Sequence, residues 1–205
     1  MNSTAEKFWQ TRVEYPPVTF NFQRRYIDLG LMLRYISDVN SILDLGCGEG
    51  QALLMLRELT DINNYYAYDL SQVFVDKLIR RWGGCSGLDA SVKNFTEPAE
   101  FPVTDMCICM GAMLYVNDEA LKIMLTNIQS KIFICRVPCE SKNRVEIDKF
   151  SEEYNDDYAA VYRTTEEYIN ILSEFFNVIE SGRCYPDDFE SEYGSKQFFF
   201  VCGRR

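Results

Sequence analysis

Hydrophobic positions along the chain fall into two alternating kinds of run. Short β-branched or aromatic runs end at turn residues, and between them lie stretches whose apolar positions recur every three to four residues. Ser41-Ile42-Leu43-Asp44-Leu45 is the first strong strand and stops at Gly46; a helical run follows over Gln51–Glu58. Tyr65 to Tyr68 predicts a second strand ending in Asp69, with Ser71 as N-cap of a helix over Gln72–Trp82. Val75, Leu78, Ile79 and Trp82 form its apolar stripe. A third strand is expected before Asp89. Asp105–Met110 is continuously apolar, the mark of a strand covered on both faces. Asn117 or Asp118 caps a helix with the stripe Leu121, Met124, Leu125 and Ile128, and Lys131–Cys135 predicts a fifth strand. Thr164 or Thr165 starts a helix through Phe175, with Glu166 and Glu167 suiting its first turn. Asn177–Cys184 and Gln197–Cys202 close the pattern as strands. This alternation predicts an α/β architecture with a largely parallel sheet.

Two segments stand outside the alternation. Residues 1–40 are rich in aromatics (Phe8, Trp9, Tyr15, Phe20, Phe22, Tyr26), and residues 139–163 are polar and acidic with Tyr154, Tyr158 and Tyr162. We expect a single domain over residues 1–205, in which 1–40 forms a helical lid and 139–163 a cap inserted after strand five. Segments carried on a rigid sheet are where substrate specificity is built. A chain of 205 residues buries roughly 70% of its unfolded surface, so neither metal nor disulfide is needed for stability.

Charge and composition narrow the chemistry. Acidic residues number 31 against 21 basic, a formal net charge of −10, which repels phosphate backbones. The adjacent basic pairs are Arg24-Arg25, Arg80-Arg81 and Arg204-Arg205, too thin for a nucleic-acid footprint, so nucleic acid is not expected as a partner. There is no histidine, which removes Ser-His-Asp and Cys-His nucleophiles, histidine metal sites and histidine general bases. None of the eight cysteines forms C-x-x-C, and Cys107 and Cys109 share one face of a strand; buried reduced thiols are the expectation, with no metal site. The amino terminus has no basic-then-apolar leader, and no apolar run approaches the ~18–20 residues of a membrane helix. A cytoplasmic protein with no membrane partner is expected; the pattern leaves the oligomeric state open.

The informative stretch is Asp44-Leu45-Gly46-Cys47-Gly48-Glu49-Gly50, between a strand and a helix. Glycines let the chain turn sharply and let a ligand lie on bare backbone, and the helix start aims amide donors at it. A dinucleotide-binding turn needs a small residue at position 51; this chain has Gln51 and spaces its glycines G-x-G-x-G. Asp44, two residues before the first glycine, suits a cationic or amino-bearing ligand better than a pyrophosphate. Asp69, at the end of the next strand, can accept from both hydroxyls of a ribose. Leu88-Asp89-Ala90 offers a short acid and an exposed amide for an adenine edge, and Met110-Gly111-Ala112-Met113-Leu114-Tyr115 lies at the mouth of strand four. Taken singly, Asp44 satisfies turn amides, Asp69 caps a helix, Asp89 is a solvated acid and Met110 is core.

In this order and spacing the chain resembles the class I S-adenosylmethionine-dependent methyltransferases of small-molecule type, by motif over residues 40–135. Ile42 to Gly50 is similar to that family's first motif almost residue for residue. The resemblance implies a Rossmann-like, doubly wound sheet of seven mostly parallel strands, helices on both faces and an antiparallel last strand. It implies S-adenosyl-L-methionine as cofactor, with S-adenosyl-L-homocysteine as product. Asp44, Gly46, Cys47 and Gly48 then lie under the methionine part; Asp69, beside Leu70, holds the ribose; Asp89 and Ala90 meet the adenine; Met110 runs along the cofactor. Phe8-Trp9 with Arg12 looks like the amino-terminal helix that closes over such sites.

Methyl transfer from a sulfonium is an in-line displacement, so alignment and exclusion of water are the main tasks. A hydroxyl acceptor also needs a base, whereas a carboxylate does not. Candidates at the strand mouths are Tyr115, Asp118 and Glu140, with Tyr115 ranked first, and Arg136 as anchor for an anionic acceptor. The acidic run Glu152, Glu153, Asp156 and Asp157 is either a selector for a cationic amine or a solvated face. A small-molecule acceptor (metabolite, sugar or natural-product intermediate) is the first reading. A protein or nucleic-acid acceptor, or a non-catalytic cofactor-binding partner subunit, are the alternatives, and a dinucleotide-dependent oxidoreductase comes last because of Gln51.

Overall fold

Seven strands run side by side in the computed structural model, which describes residues 3–14, 22–187 and 196–205. In chain order they are β1 (Ser41–Leu45), β2 (Asn64–Asp69), β3 (Leu88–Val92), β4 (Met106–Met110), β5 (Ile132–Cys139), β8 (Phe176–Arg183) and β9 (Lys196–Arg204). β6 (Val145–Ser151) and β7 (Asp156–Tyr162) pair only with each other, antiparallel, as a hairpin between β5 and the next helix. The spatial order is β3-β2-β1-β4-β5-β9-β8. The first five strands pair in parallel, and β9 inserts antiparallel between β5 and β8. The order reverses between β1 and β4, and a doubly wound sheet opens its ligand crevice at such a switch, outside the carboxyl ends of the strands.

Period-two alternation sends each strand's side chains to two different cores. Leu43, Leu45, Cys107, Cys109, Phe133, Cys135 and Val137 pack under α5 (Asp118–Asn127) and α6 (Thr165–Phe175). Ile42, Met106, Ile108 and Ile134 pack under α2 (Phe22–Leu33), α3 (Gln51–Leu59) and α4 (Gln72–Trp82). Cys107 and Cys109 therefore do share one face, and six of the eight cysteines are buried free thiols; Cys85 is exposed and Cys184 half-buried. Burial holds Cys107, Cys109, Cys135, Cys139 and Cys202 above the ordinary thiol pKa, so they act as small hydrophobes.

Local capping chemistry sets the helix starts. Ser71 caps α4 by accepting from the Phe74 amide, and Asn117 rather than Asp118 caps α5. Thr164 rather than Thr165 opens α6 through a capping box with Glu167. Two expectations are corrected. The third strand does not precede Asp89 but contains it. On α4, Ile79 is exposed and Phe74 is buried in its place, because Trp9 of α1 (Ser3–Thr11) packs against the Phe74 ring at 6.5 Å and rotates the covered stripe. That contact is invisible to periodicity.

The segment 139–163 is the hairpin with its approaches, and it covers one end of the sheet. Phe8 of α1 packs on Tyr158 and Ala160 of β7 and on Leu114. Arg12 lies 4.1 Å over the Phe8 ring, donates to the Tyr154 carbonyl, and its own carbonyl accepts from Ser71. At the hairpin's far end Arg163 is fully buried. It donates to Asp118 Oδ1 at 2.7 and 2.9 Å and to the Val116 carbonyl at 2.6 Å. The hairpin is thereby pinned to the 3₁₀ turn Met113–Tyr115 that follows β4.

Candidate active site

The turn after β1 is backbone chemistry. The amides of Gly46 and Cys47 both donate to the Tyr68 carbonyl at the end of β2, at 2.8 and 3.1 Å. Gly46 has φ +74°, and a Cβ there would sit 2.5 Å from the Ala112 Cβ, so only glycine lets the β1 and β4 ends approach this closely. The tight packing that a dinucleotide turn assigns to position 51 falls on Gly50 instead, where an added Cβ would collide with Leu78 of α4.

Two buried carboxylates end the neighbouring strands, and they differ. Asp69 is 8% exposed; its Oδ2 accepts from the Gly48 amide at 2.8 Å and its Oδ1 from the Ser71 amide at 2.9 Å. Burial raises its pKa, partly offset by those amides. Asp44 is 3% exposed, and neither a turn amide nor any side chain of the described residues is recorded donating to it. Burial, then the charge of Asp69, push its pKa up to about 8. Asp44 therefore does not serve the turn: it is a desolvated acid that lines the cleft. Burial also pushes the Cys47 thiol well up, so Cys47 is a wall residue and not a nucleophile.

The cleft has two connected parts that share Trp9, Gly46, Met110, Gly111 and Tyr115. The smaller, about 110 Å³, lies by Asp69, Leu70, Phe74 and Phe95. The larger, about 320 Å³, is lined by Asp44 and Cys47 from β1 and its turn and by Arg24, Arg25, Asp28, Arg136, Tyr154, Tyr158, Tyr162 and Tyr185. Of the sequence candidates, Asp44, Gly46, Cys47, Asp69, Leu70, Met110, Tyr115 and Arg136 converge here, while Gly48 contributes its amide to Asp69.

Asp89 and Ala90 do not converge. They lie inside β3, opposite Tyr66 and Ala67, Asp89 is exposed, and neither lines either cavity. The residues leaving the carboxyl end of β3 are Lys93-Asn94-Phe95, and Phe95, 2% exposed, takes the place beside the cleft. Glu140 also falls outside the lining; its amide donates to the Arg163 carbonyl at 2.9 Å. Asp118 is spent on Arg163 and Arg144. Glu152, Glu153 and Asp157 are exposed, a solvated edge of the hairpin.

Tyr115 stands where the two parts meet, its ring 4.9 Å from Trp9 and 6.0 Å from Tyr158. Burial raises its phenol above the ordinary value, as it does for Tyr158, whose hydroxyl lies 3.1 Å from that of Tyr162. These phenols hold their protons at neutral pH and are donors, not resting bases. Arg136, expected as an anchor, is itself anchored. Its Nε donates to Asp28 Oδ2 at 3.2 Å, Nη1 to Gln197 at 2.9 Å and Nη2 to the Met110 carbonyl at 3.0 Å. Burial is the largest influence and works against its charge, but the groups around it, Asp28 first, together outweigh burial and hold the guanidinium charged. Asp28 Oδ1 accepts in turn from the Tyr185 hydroxyl at 2.8 Å. Sequence reading missed Arg24, Arg25, Asp28, Phe95 and Tyr185 as wall residues; the Arg24-Arg25 pair and the aromatic richness of residues 1–40 were the available signals.

Residues 42–131 match the family described as "Methyltransferase domain". No curated protein matches the sequence. Among solved structures, the chain is similar to a putative S-adenosylmethionine-dependent methyltransferase from Listeria monocytogenes at 18% identity, TM-score 0.69, covering 89% of this chain and 97% of that one. It is similar to geranyl diphosphate C-methyltransferase from Streptomyces coelicolor, solved with S-adenosyl-L-homocysteine, at 10% identity, TM-score 0.72, covering 98% and 97%. A putative methyltransferase from Haloferax volcanii, solved with the Trm112 activator, gives 19% identity and TM-score 0.67, covering 89% and 90%. The family match marks a methyltransferase domain over residues 42–131, and the sheet order agrees with the Rossmann-like fold of these S-adenosylmethionine-dependent neighbours. The residues fit that cofactor. A bare glycine backbone lies between Asp44, a desolvated acid, and Asp69, a carboxylate that keeps lone pairs beyond the Gly48 and Ser71 amide bonds. Among the described residues no helix is long and apolar enough to cross a membrane, and no three ligand-type side chains group as a metal site.

Proposed function

We propose that this enzyme methylates a small-molecule acceptor, a metabolite, sugar or natural-product intermediate, and that it works in the cytoplasm, where its buried thiols stay reduced. The observation that carries the reading is the larger cavity, about 320 Å³, lined from α1 and the β6–β7 hairpin by Trp9, Tyr154 and Tyr158. That volume sits at the small end of ligand sites, and a cleft of that size walled by aromatic rings suits a compact acceptor better than a polymer. The −10 net charge adds to the case against nucleic acid.

When bound, the cofactor supplies an electrophilic methyl group on a sulfonium. Asp69 would hold its ribose, Asp44 its amino group, and Leu70 and Phe95 would flank its base. The bare backbone at Gly46 and Cys47 gives the ligand close approach. Tyr115, at the junction of the two cavities, orients the acceptor by donating from a phenol that keeps its proton. Trp9 and the hairpin exclude water. Holding the acceptor in line can be worth ~7–11 kcal/mol of barrier. With the phenols protonated, an acceptor that presents a lone pair without prior deprotonation is favoured.

The test is to incubate the protein with methyl-labelled cofactor and a cell extract, then separate the products by size. Label below the mass of a peptide supports the reading. Label in protein or nucleic acid, and none in small molecules, overturns it.

A further inference from the structure

We propose that the acceptor carries an anionic group, a carboxylate or a phosphate ester, held by Arg24 and Arg25 of α2. The inference rests on the methyltransferase reading above and adds the acceptor's chemical class. In a chain of net charge −10, the described residues wall the larger cavity with three arginines, Arg24, Arg25 and Arg136, against two carboxylates, Asp28 and Asp44. Asp44 stands on the cofactor side. Asp28 has one oxygen on Arg136 and the other on the Tyr185 hydroxyl, so its charge offsets the guanidinium it already binds. Arg24 also lies in the field of Asp28, and with Arg25 it brings the arginines of this wall to three among the described residues. Arg24 lies 5.4 Å over the Tyr185 ring, and Arg136 lies 5.8 Å from the same ring, which aligns the two guanidinium groups on one aromatic post.

The rest of the wall suits an anion too. The lining phenols of Tyr115, Tyr158 and Tyr162 are donors. Glu140 and the acidic edge of the hairpin, which would select a cation, lie outside the lining. Guanidinium groups bind carboxylates and phosphates with two parallel hydrogen bonds, and a covered, low-dielectric wall strengthens such pairs. A carboxylate acceptor needs no base, in keeping with a wall of protonated phenols. A phosphate ester would use the same arginines as a handle, with methyl transfer elsewhere on the molecule.

The test uses the full chain saturated with S-adenosyl-L-homocysteine, titrated calorimetrically with benzoate, phenyl phosphate and benzyl alcohol as probes. The first two separate carboxylate from phosphate, and the third keeps the ring without the charge. We expect at least one anion to bind at ~10 mM or below and benzyl alcohol not to bind. In the Arg24→Gln/Arg25→Gln double variant the anion should weaken tenfold or more while S-adenosyl-L-homocysteine still binds, which also reports an intact fold. Arg24→Lys/Arg25→Lys should recover part of the anion affinity, as charge without the bidentate fork. Equal binding of benzyl alcohol, no binding of either anion, or unchanged anion affinity in the double variant overturns the proposal. So does a double variant that loses the homocysteine and keeps the anion, because the arginines then serve the cofactor. Failure of the folded parent chain to bind S-adenosyl-L-homocysteine is a different result: it overturns the cofactor assignment itself, and the acceptor class with it.

Discussion

The two sides of the cleft are assembled by different means. On the cofactor side, the working groups come from three short stretches at strand ends: Asp44–Gly50, Asp69–Ser71 and Met110–Ala112. Most contacts there run through backbone, as in the Gly46, Cys47 and Gly48 amides that tie β1's turn to the end of β2. The wall proposed for the acceptor is made of long side chains from separate places, from Trp9 to Gln197, and held by Arg136, Asp28 and Tyr185 bonding across more than a hundred residues of chain. Backbone geometry tolerates little change and serves one ligand. A wall of side chains can be rewritten residue by residue, and that is where enzymes on one fold diverge in substrate.

If that division is correct, damage to one side should leave the other readable. The largest effect is expected from Gly46→Val, which puts a branched side chain at φ +74° and into Ala112. S-adenosyl-L-homocysteine binding should vanish by calorimetry, and strain of ~1–3 kcal/mol should lower the melting temperature by several degrees. A variant that still binds the homocysteine normally would break the claim that backbone approach builds the cofactor side. Asp118→Ala comes next. It removes the carboxylate from fully buried Arg163, and with Asp118 itself half-exposed the cost should be ~2 kcal/mol by denaturant unfolding. Because Arg163 pins the hairpin and not the glycine turn, cofactor affinity should fall far less than stability does.

Asp69→Ala should weaken S-adenosyl-L-homocysteine tenfold or more, ~1.4 kcal/mol, and a smaller change would remove Asp69 from the ribose role. The smallest effect is a proton. Asp44 has its pKa raised to about 8 in the folded protein against an ordinary value of 3.8. A raised carboxyl pKa means the folded state holds the proton more tightly. Its stabilising contribution is complete below pH ~4, declines as pH rises and is gone above about 8. Asp44→Asn should therefore flatten the decline in stability between pH 5 and 8 that the parent chain shows. Closing an ammonium onto Asp44 requires the ionised form, so binding at pH 7 should release close to one proton, read from calorimetry in buffers of different ionisation enthalpy. No proton release would place the amino group elsewhere.

How much was legible beforehand follows the same division. The places of Asp44, Gly46, Asp69 and Met110 in the cleft wall were readable because each is set by neighbours a few residues away, in a strand–turn–helix whose pattern is strong. Asp89 fell outside the cleft for a related reason. β3 is an edge strand with weak alternation, its end falls at Val92 and not before Asp89, so the residue it carries to the cleft wall is Phe95. Ile79 and Phe74 exchanged places because Trp9, more than sixty positions away, decides which face of α4 is covered. The hairpin escaped notice because β6 is largely exposed and polar, and β7 buries Tyr158, Ala159 and Ala160 only by meeting α1.

By itself, then, the sequence determined the order of the seven sheet strands and the helices between them, the cap at Ser71 and the glycine turn after β1, and it narrowed the caps of α5 and α6 to two adjacent residues each, since hydrogen bonding and burial within a few residues are enough to specify that much. Only the tertiary structure decided that Arg136 is a braced strut, that Glu140 lies outside the cleft, and that Arg24, Arg25 and Tyr185 stand in one wall. Those facts depend on which distant side chains share a desolvated space, and no local pattern encodes that.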